Sequence, residues 1–254
     1  MPDESGARPL IVAHRGGAGH GPENTLPAFS RAFAMGADAI EGDFHLSRDG
    51  HIVCLHDTDT ARVAGTRRVV AESTLAELRG LEVGSWFAEA WRGARIPTLE
   101  EVLATIPPGR TLFAEVKCGP ELITPLLETL RHDGFALEEL VVISFHAQVI
   151  HRFKQLAPQG KACWLASCRR DDRGRFQPDR AEVLRTLAQC EADGFGAHGR
   201  LDDGGFIRAI QAAGFEFHAW SVNDPVRARW FRDLGARSLT TDYPDRLREA
   251  LGRE

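Results

Sequence analysis

Clustered basic residues, long apolar runs and paired cysteines are all scarce in this chain of 254 residues. Lys and Arg number 31 against 36 Asp and Glu, a formal net charge of -5, and no basic run is long enough to grip a nucleic-acid backbone, so duplex binding is excluded. No apolar stretch approaches the ~18 residues that span a bilayer. The acidic opening Met1-Pro2-Asp3-Glu4-Ser5-Gly6 lacks the basic and apolar segments of a secretory signal, and no basic amphipathic helix seeks a membrane surface. Cys54, Cys118, Cys163, Cys168 and Cys190 are odd in number and lack zinc-site spacing, so they read as reduced, partly buried thiols of a cytoplasmic protein. Three motifs are missing as well. Without a Gly-x-Ser-x-Gly turn, a Gly-x-x-x-x-Gly-Lys-Ser/Thr loop or a Gly-x-Gly-x-x-Gly fingerprint, serine-hydrolase, nucleotide and dinucleotide readings lose their usual support.

What is present is globular: 43% hydrophobic and 26% charged residues, with 25 Gly and 13 Pro. Apolar β-branched runs alternate with amphipathic stretches from end to end, the pattern of parallel strands joined by crossover helices. Eight strands are expected, at Leu10 to Ala13, Ala39 to Leu46, Thr111 to Val116, Leu140 to Ser144, Lys161 to Leu165, Gly194 to Ala197, Phe215 to Trp220 and Ser238 to Thr241. Helices fit between them, for example Leu26 to Met35, Leu99 to Thr105, Leu122 to His132, Gln148 to Leu156, Asp179 to Gln189, Phe206 to Ala213 and Pro225 to Leu234. Thr98 with Glu101 forms a capping box, and Gly36, Gly214 and Gly235 stand where helices should end. The expected fold is therefore α/β, a TIM (β/α)8 barrel occupying residues 1–254 as one domain. Residues 57–96 break the rhythm and read as a short insertion over one face, either packing filler or a shaper of substrate access.

In a parallel barrel the polar chemistry gathers at the carboxyl ends of the strands. The first strand ends in His14-Arg15-Gly16, the second carries Glu41 and Asp43, the next extended run leads to His56-Asp57, and the third barrel strand ends in Glu115-Val116-Lys117. Residues two apart in an extended segment share a face, which lets Glu41 with Asp43, and Glu115 with Lys117, look into one cavity. Three inward carboxylates need neutralising partners or a metal, and one hard divalent cation, Mg²⁺ or Ca²⁺, is the simplest resolution. His14 and His56 would flank it and supply one general acid and one general base. Arg15 and Lys117 add fixed positive charge suited to a phosphate. Any one of these residues alone is ordinarily structural. Their joint occurrence at successive strand ends points to phosphodiester hydrolysis rather than acyl transfer.

These residues also carry a resemblance. His14-Arg15-Gly16, Pro22-Glu23-Asn24-Thr25, Glu41-x-Asp43, Leu46-Ser47-x-Asp49-Gly50, His56-Asp57 and Glu115-x-Lys117 resemble the glycerophosphodiester phosphodiesterase family in order and spacing. Ile96-Pro97-Thr98-Leu99-Glu100-Glu101-Val102-Leu103, Ser144-Phe145, Trp220-Ser221-Val222-Asn223 and Thr241-Asp242-Tyr243-Pro244 extend the likeness along nearly the whole chain. The resemblance implies a metal-dependent barrel that cleaves glycerophosphocholine, glycerophosphoethanolamine and similar small molecules into sn-glycerol 3-phosphate and an alcohol. It implies Glu41, Asp43 and Glu115 as metal ligands, His14 and His56 as acid and base, and Arg15 and Lys117 on phosphate oxygens.

Trp220 and Phe145, at strand ends, are candidates for an apolar wall against the substrate, with barrel packing as the alternative. His45 follows Asp43 on the same face and reads as a solvated strand-end residue unless it reaches the site. His198 reads as a loop residue near the mouth, while Glu23 and Asn24 are expected to fix the loop behind His14. Two other functions fit the same residues: a lysophospholipase D or phospholipase C-like phosphodiesterase on the same barrel, and a non-catalytic binding protein. Hydrolysis of glycerophosphocholine against lysophosphatidylcholine separates the first, and an assay for glycerol 3-phosphate the second.

Overall fold

In the computed structural model, which describes residues 8–252, eight parallel strands close into a ring with helices outside. The strands are β1 (Leu10–Ala13), β2 (Ala39–Leu46), β3 (Thr111–Val116), β4 (Leu140–Ser144), β5 (Lys161–Ala166), β6 (Gly194–His198), β7 (Glu216–Trp220) and β8 (Ser238–Thr241). They pair in chain order, and β1 closes the ring by lying between β2 and β8, with Leu10 to Ala13 in register with Ser238 to Thr241. Their composition follows from burial on two sides. Val12, Ala39, Phe113, Val141, Ile143, Cys163 and Leu165 fill the interior. The alternate residues, among them Ile11, Ile40, Phe44, Leu112 and Val142, face the helices. Each fully buried side chain of this size contributes about 1.5–3 kcal/mol of apolar transfer energy, so the two faces together specify the register.

The principal outer helices are α1 (Leu26–Ala34), α2 (Ala61–Ala64), α3 (Leu75–Arg79), α4 (Leu99–Leu103), α5 (Ile123–Asp133), α6 (Ala147–Leu156), α7 (Arg180–Gln189), α8 (Gly204–Ala212), α9 (Pro225–Asp233) and α10 (Pro244–Leu251). The Thr98 capping box forms as expected: the threonine side chain accepts from Glu101 N, and the Glu101 carboxylate accepts from Thr98 N. Gly36 (φ 85°) and Gly235 (φ 75°) turn the chain back into β2 and β8, and Glu191 (φ 58°) takes the same left-handed conformation ahead of β6. Each is followed by a buried alanine, Ala37, Ala236 and Ala192. At the amino-terminal end of the barrel Asp38 accepts from Ile11 N at 2.9 Å and from both terminal nitrogens of Arg8, with Arg248 at 3.1 Å.

Between β2 and β3 the chain first folds back as a hairpin whose return strand, Ile52–Cys54, pairs antiparallel with β2. Residues 57–96 then carry α2, α3 and short 3₁₀ turns around a separate apolar cluster of Val53, Leu55, Val63, Val70, Leu78, Val83 and Ile96. All five cysteines are free, and Cys118 alone among them is not buried. No helix among the described residues is long and apolar enough to cross a membrane.

Candidate active site

Each inward-facing polar group at the carboxyl end of the barrel is set there by strand geometry. On β2 the side chains of Glu41 and Asp43 face inward while Gly42 faces α1, where a Cβ would meet Cys54 Sγ and Phe29 Cζ at 3.2 Å, a fit tight enough that both neighbours would have to give way slightly. Asp43 stands opposite Glu115 in the β2–β3 register. The three carboxylates are almost fully buried, at 2%, 1% and 9% exposure, and ligand atoms from all three lie within 4.8 Å of one another.

The surrounding groups hold this cluster rigidly. Arg15, in a left-handed conformation at φ 50°, directs its backbone N–H to Glu41 Oε2 at 2.8 Å and its guanidinium to Glu23 at 3.0 Å and Asp43 at 3.2 Å. Asn24 donates to Asp43 Oδ2 at 2.8 Å and accepts from Asp43 N at 3.1 Å. Lys117 Nζ lies 2.7 Å from Glu115 Oε1 and 3.4 Å from Asp43 Oδ1. Among the carboxylate oxygens Glu41 Oε1 stands apart: it is buried and has no hydrogen-bond donor. Burial and the neighbouring Asp43 charge push the Glu41 carboxyl up to about 8 and raise Glu115 too. Asp43 moves the other way, because Arg15 and Lys117 outweigh its burial.

Both histidines are present at this face, and each leans on an aspartate. His14 Nδ1 donates to Asp242 Oδ1 at 2.7 Å, and Asn223 Nδ2 steadies the other Asp242 oxygen at 2.6 Å. His56 Nδ1 donates to Asp57 Oδ1 at 2.6 Å, with Arg62 Nε on Asp57 Oδ2 at 2.7 Å. A carboxylate can only accept here, so both rings carry a proton on Nδ1, and these bonds leave Nε2 unengaged. Burial lowers both imidazoles. For His14 the Asp242 hydrogen bond and the Glu41 charge overturn that effect and raise it above the ordinary value, whereas His56, near Arg15 and Lys117, stays depressed. Against partial burial, the Arg62 and His56 hydrogen bonds hold the Asp57 carboxyl at about 2.

The wall residues also converge. Phe145, 40% exposed, meets Trp220 edge-on at 5.3 Å, and His198 also meets Trp220 edge-on at 5.1 Å. His45 departs from the expectation of a solvated residue: it is buried, its Nε2 lies 3.3 Å from the backbone oxygen of His56, and burial lowers its basicity. Sequence reasoning missed Asp242 and Arg62 as partners of the histidine machinery. Asp57 carried a signal, its adjacency to His56; Asp242 stood in a segment resembling the family and just after the last expected strand, but its 228-residue separation from His14 hid the pairing.

A cavity lined by His14, Glu41, Glu115, Trp220 and buried barrel residues thus joins two of the acids to one of the histidines, and the comparison with known families decides how to read it. Residues 14–246 match the model of the glycerophosphoryl diester phosphodiesterase family. The chain belongs to that family.

Among its curated members, the glycerophosphodiester phosphodiesterase of Caldanaerobacter subterraneus is 36% identical over 243 residues, covering 94% of this chain and 96% of the relative. That of Bacillus subtilis is 28% identical over 254 residues, covering 94% and 85%. A phosphodiesterase from Oleispira antarctica, solved in complex with its product sn-glycerol 3-phosphate, superposes with a TM-score of 0.86 at 28% identity, covering 96% of this chain and 97% of that one. The protein is accordingly an enzyme of the glycerophosphodiester phosphodiesterase class, built on the barrel expected from its sequence.

Proposed function

We propose that this enzyme is a divalent-metal-dependent hydrolase of glycerophosphodiesters such as glycerophosphocholine and glycerophosphoethanolamine, releasing sn-glycerol 3-phosphate and an alcohol. The observation that carries the reading is the buried Glu41 Oε1, without a donor, beside two further buried carboxylates. Oxygen donors at this spacing fit a hard cation. Charge supports the fit. With Glu41 ionised, as binding a cation would require, three carboxylates against Arg15 and Lys117 leave one negative charge in excess, and a dication would turn this into one positive charge, the complement of a phosphodiester anion. When bound by Glu41, Asp43 and Glu115, such an ion supplies Lewis-acid stabilisation of non-bridging phosphate oxygens.

The protein's own groups do the rest. Arg15 and Lys117 bind and orient the phosphate, since both already point at the acidic cluster. His14 and His56 exchange one proton each through Nε2, one taking it from the nucleophile, a water or the substrate's neighbouring glycerol hydroxyl, and the other giving it to the departing alcohol oxygen. On the hydroxyl route a water then opens the cyclic phosphate to glycerol 3-phosphate with the two roles reversed. Asp242 and Asp57 fix the two rings and favour their protonated forms. Phe145 and Trp220 form the apolar wall against the substrate's carbon chain. The barrel and residues 57–96 act as one catalytic unit, because Arg62 and Asp57 of the insertion support His56.

The test is a coupled assay for glycerol 3-phosphate on EDTA-treated protein reloaded with Mg²⁺ or Ca²⁺. Turnover of glycerophosphocholine or glycerophosphoethanolamine only after reloading is expected. Full activity in excess EDTA overturns the metal assignment, and faster cleavage of lysophosphatidylcholine reassigns the substrate.

A further inference from the structure

The mouth of the barrel is chemically divided. His14, Arg15, Glu41, Asp43, Glu115 and Lys117 stand on or just after β1, β2 and β3, the half where the proposed phosphate and metal site lies. Across the ring, the segments after β5 and β6 enclose a separate cleft of about 440 Å³, whose lining includes Arg169, Arg170, Phe176, His198, Arg200 and Asp202. It adjoins the site through two rings, because His198 packs against Trp220 and Trp220 lines the cavity shared with His14, Glu41 and Glu115.

The three arginines of the cleft are not equivalent. Arg170 is committed: it lies 4.1 Å over the Phe176 ring, donates to the Gly174 carbonyl at 2.7 Å and pairs with Asp202 at 2.9 Å. That pairing also uses up the acid in the cleft. Arg169 and Arg200 are exposed, and neither side chain has a carboxylate partner among the described residues. Arg200 is placed by its backbone N–H, which donates to His198 Nδ1 at 3.1 Å. Both guanidinium groups lie near enough to His198 that, after burial, their charges are the next causes holding its imidazole below the ordinary value. Arg62, Arg67 and Arg92, by contrast, each pair with a carboxylate.

We infer that the Arg169–Arg200 cleft is a second anion subsite, which takes a phosphate group carried by the alcohol portion of the glycerophosphodiester. This rests on the proposed function and deepens it. With the scissile phosphate at the acidic cluster, a substrate long enough to pass Trp220 and His198 reaches two guanidinium forks that have no internal partner. Planar forks bind phosphate in two-point fashion, and an ammonium head group meets repulsion there. Head groups therefore rank by charge: phosphorylated first, neutral second, cationic last.

The experiment compares glycerophosphoglycerol with the same diester bearing a phosphate on its terminal hydroxyl, measuring kcat/KM in the metal-loaded enzyme and in an Arg169→Gln/Arg200→Gln double variant. The wild type is expected to favour the phosphorylated diester on the order of tenfold, mostly through KM, with the ratio shrinking as ionic strength rises. In the double variant the ratio is expected to fall to about one. A wild-type ratio at or below one overturns the inference whether or not the variant folds, and so does a tenfold ratio that survives in a folded double variant. Hydrolysis without preference removes the subsite alone, whereas failure to hydrolyse either diester, or glycerophosphocholine, removes the proposed function and the subsite with it.

Discussion

Arg62, in the insertion, links the two sides of the candidate site. Its guanidinium donates to Asp57 Oδ2 at 2.7 Å and to both oxygens of Glu23 at 2.7 and 2.8 Å, while Glu23 also accepts from Arg15 and Asp57 accepts from His56. Arg62→Ala removes three charge-assisted hydrogen bonds, each worth about 1.5–3 kcal/mol when fully buried. The Arg62 side chain is 41% exposed and Glu23 keeps Arg15, so screening and the surviving partner reduce the net loss to about 2 kcal/mol. For a chain of this length that lowers Tm by roughly 4–8 °C. The effect on rate has another origin. Asp57 is left with His56 alone, and a displacement of about 1 Å in a positioned group can cost on the order of 10²-fold, so kcat is expected to fall about 10- to 100-fold with little change in KM. Arg62→Lys keeps the charge but not the fork that spans two carboxylates, so it should recover part of the stability and little of the rate. Thermal unfolding and steady-state release of glycerol 3-phosphate measure the two effects separately. An Arg62→Ala protein that loses the Tm but keeps kcat within about twofold would falsify the positioning role and leave Arg62 a structural residue.

Three further outcomes are expected. His14→Ala and His56→Ala should each lower kcat by roughly 10²- to 10⁴-fold with unchanged circular dichroism, and near-native turnover in either removes that ring from the mechanism. Chelation should lower the thermal midpoint as well as activity, with Mg²⁺ or Ca²⁺ at about 100 times its Kd restoring about 2.7 kcal/mol; a midpoint indifferent to both ions contradicts binding at the carboxylates. Against burial, the Arg8 and Ile11 N–H hydrogen bonds depress the Asp38 carboxyl below its ordinary 3.8, so its stabilisation is complete above that value and lost as pH falls through the lower, folded-state value. Asp38→Asn should therefore cost about 2 kcal/mol at pH 7 and progressively less below about pH 4 in urea titrations, while a constant difference across that range would show that charge is not what Asp38 contributes.

The barrel was legible because its strands are buried on both faces and its helices on one, so two periodicities alternate without ambiguity. Strand bounds agree with expectation to within a residue at each end; β5 runs on to Ala166 and β6 to His198, while β7 begins at Glu216. Helix bounds shift by up to two residues, as where α4 stops at Leu103 rather than Thr105. The short ribbon pairing Arg169–Arg170 with Phe176–Gln177 escaped notice, since four residues offer no period to read. Helix α10 was not foreseen either, although Pro244 at its first turn is a start signal. At the site, residues spaced two apart on a strand announced their common face. Glu191 shows the opposite case: nothing about a glutamate marks the left-handed turn that Gly36 and Gly235 mark openly. The supports of the histidines were hidden for a similar reason, because Asp242 and Arg62 acquire their meaning only from contacts made after the ring closes.

The His14–Asp242 hydrogen bond lies across the seam where β1 meets β8. Recovery of turnover during refolding consequently requires the most distant pairing in the topology, and it is expected to lag a signal that reports helix formation alone. The same bond ranks the places where the polypeptide could be cut and rejoined. A circular permutant joins the chain ends across this seam wherever it is opened; opening it in residues 57–96 puts Asp57 and Arg62 at risk, whereas opening it between β4 and β5 spares both aspartates and is the arrangement in which new termini should leave the two histidine supports intact.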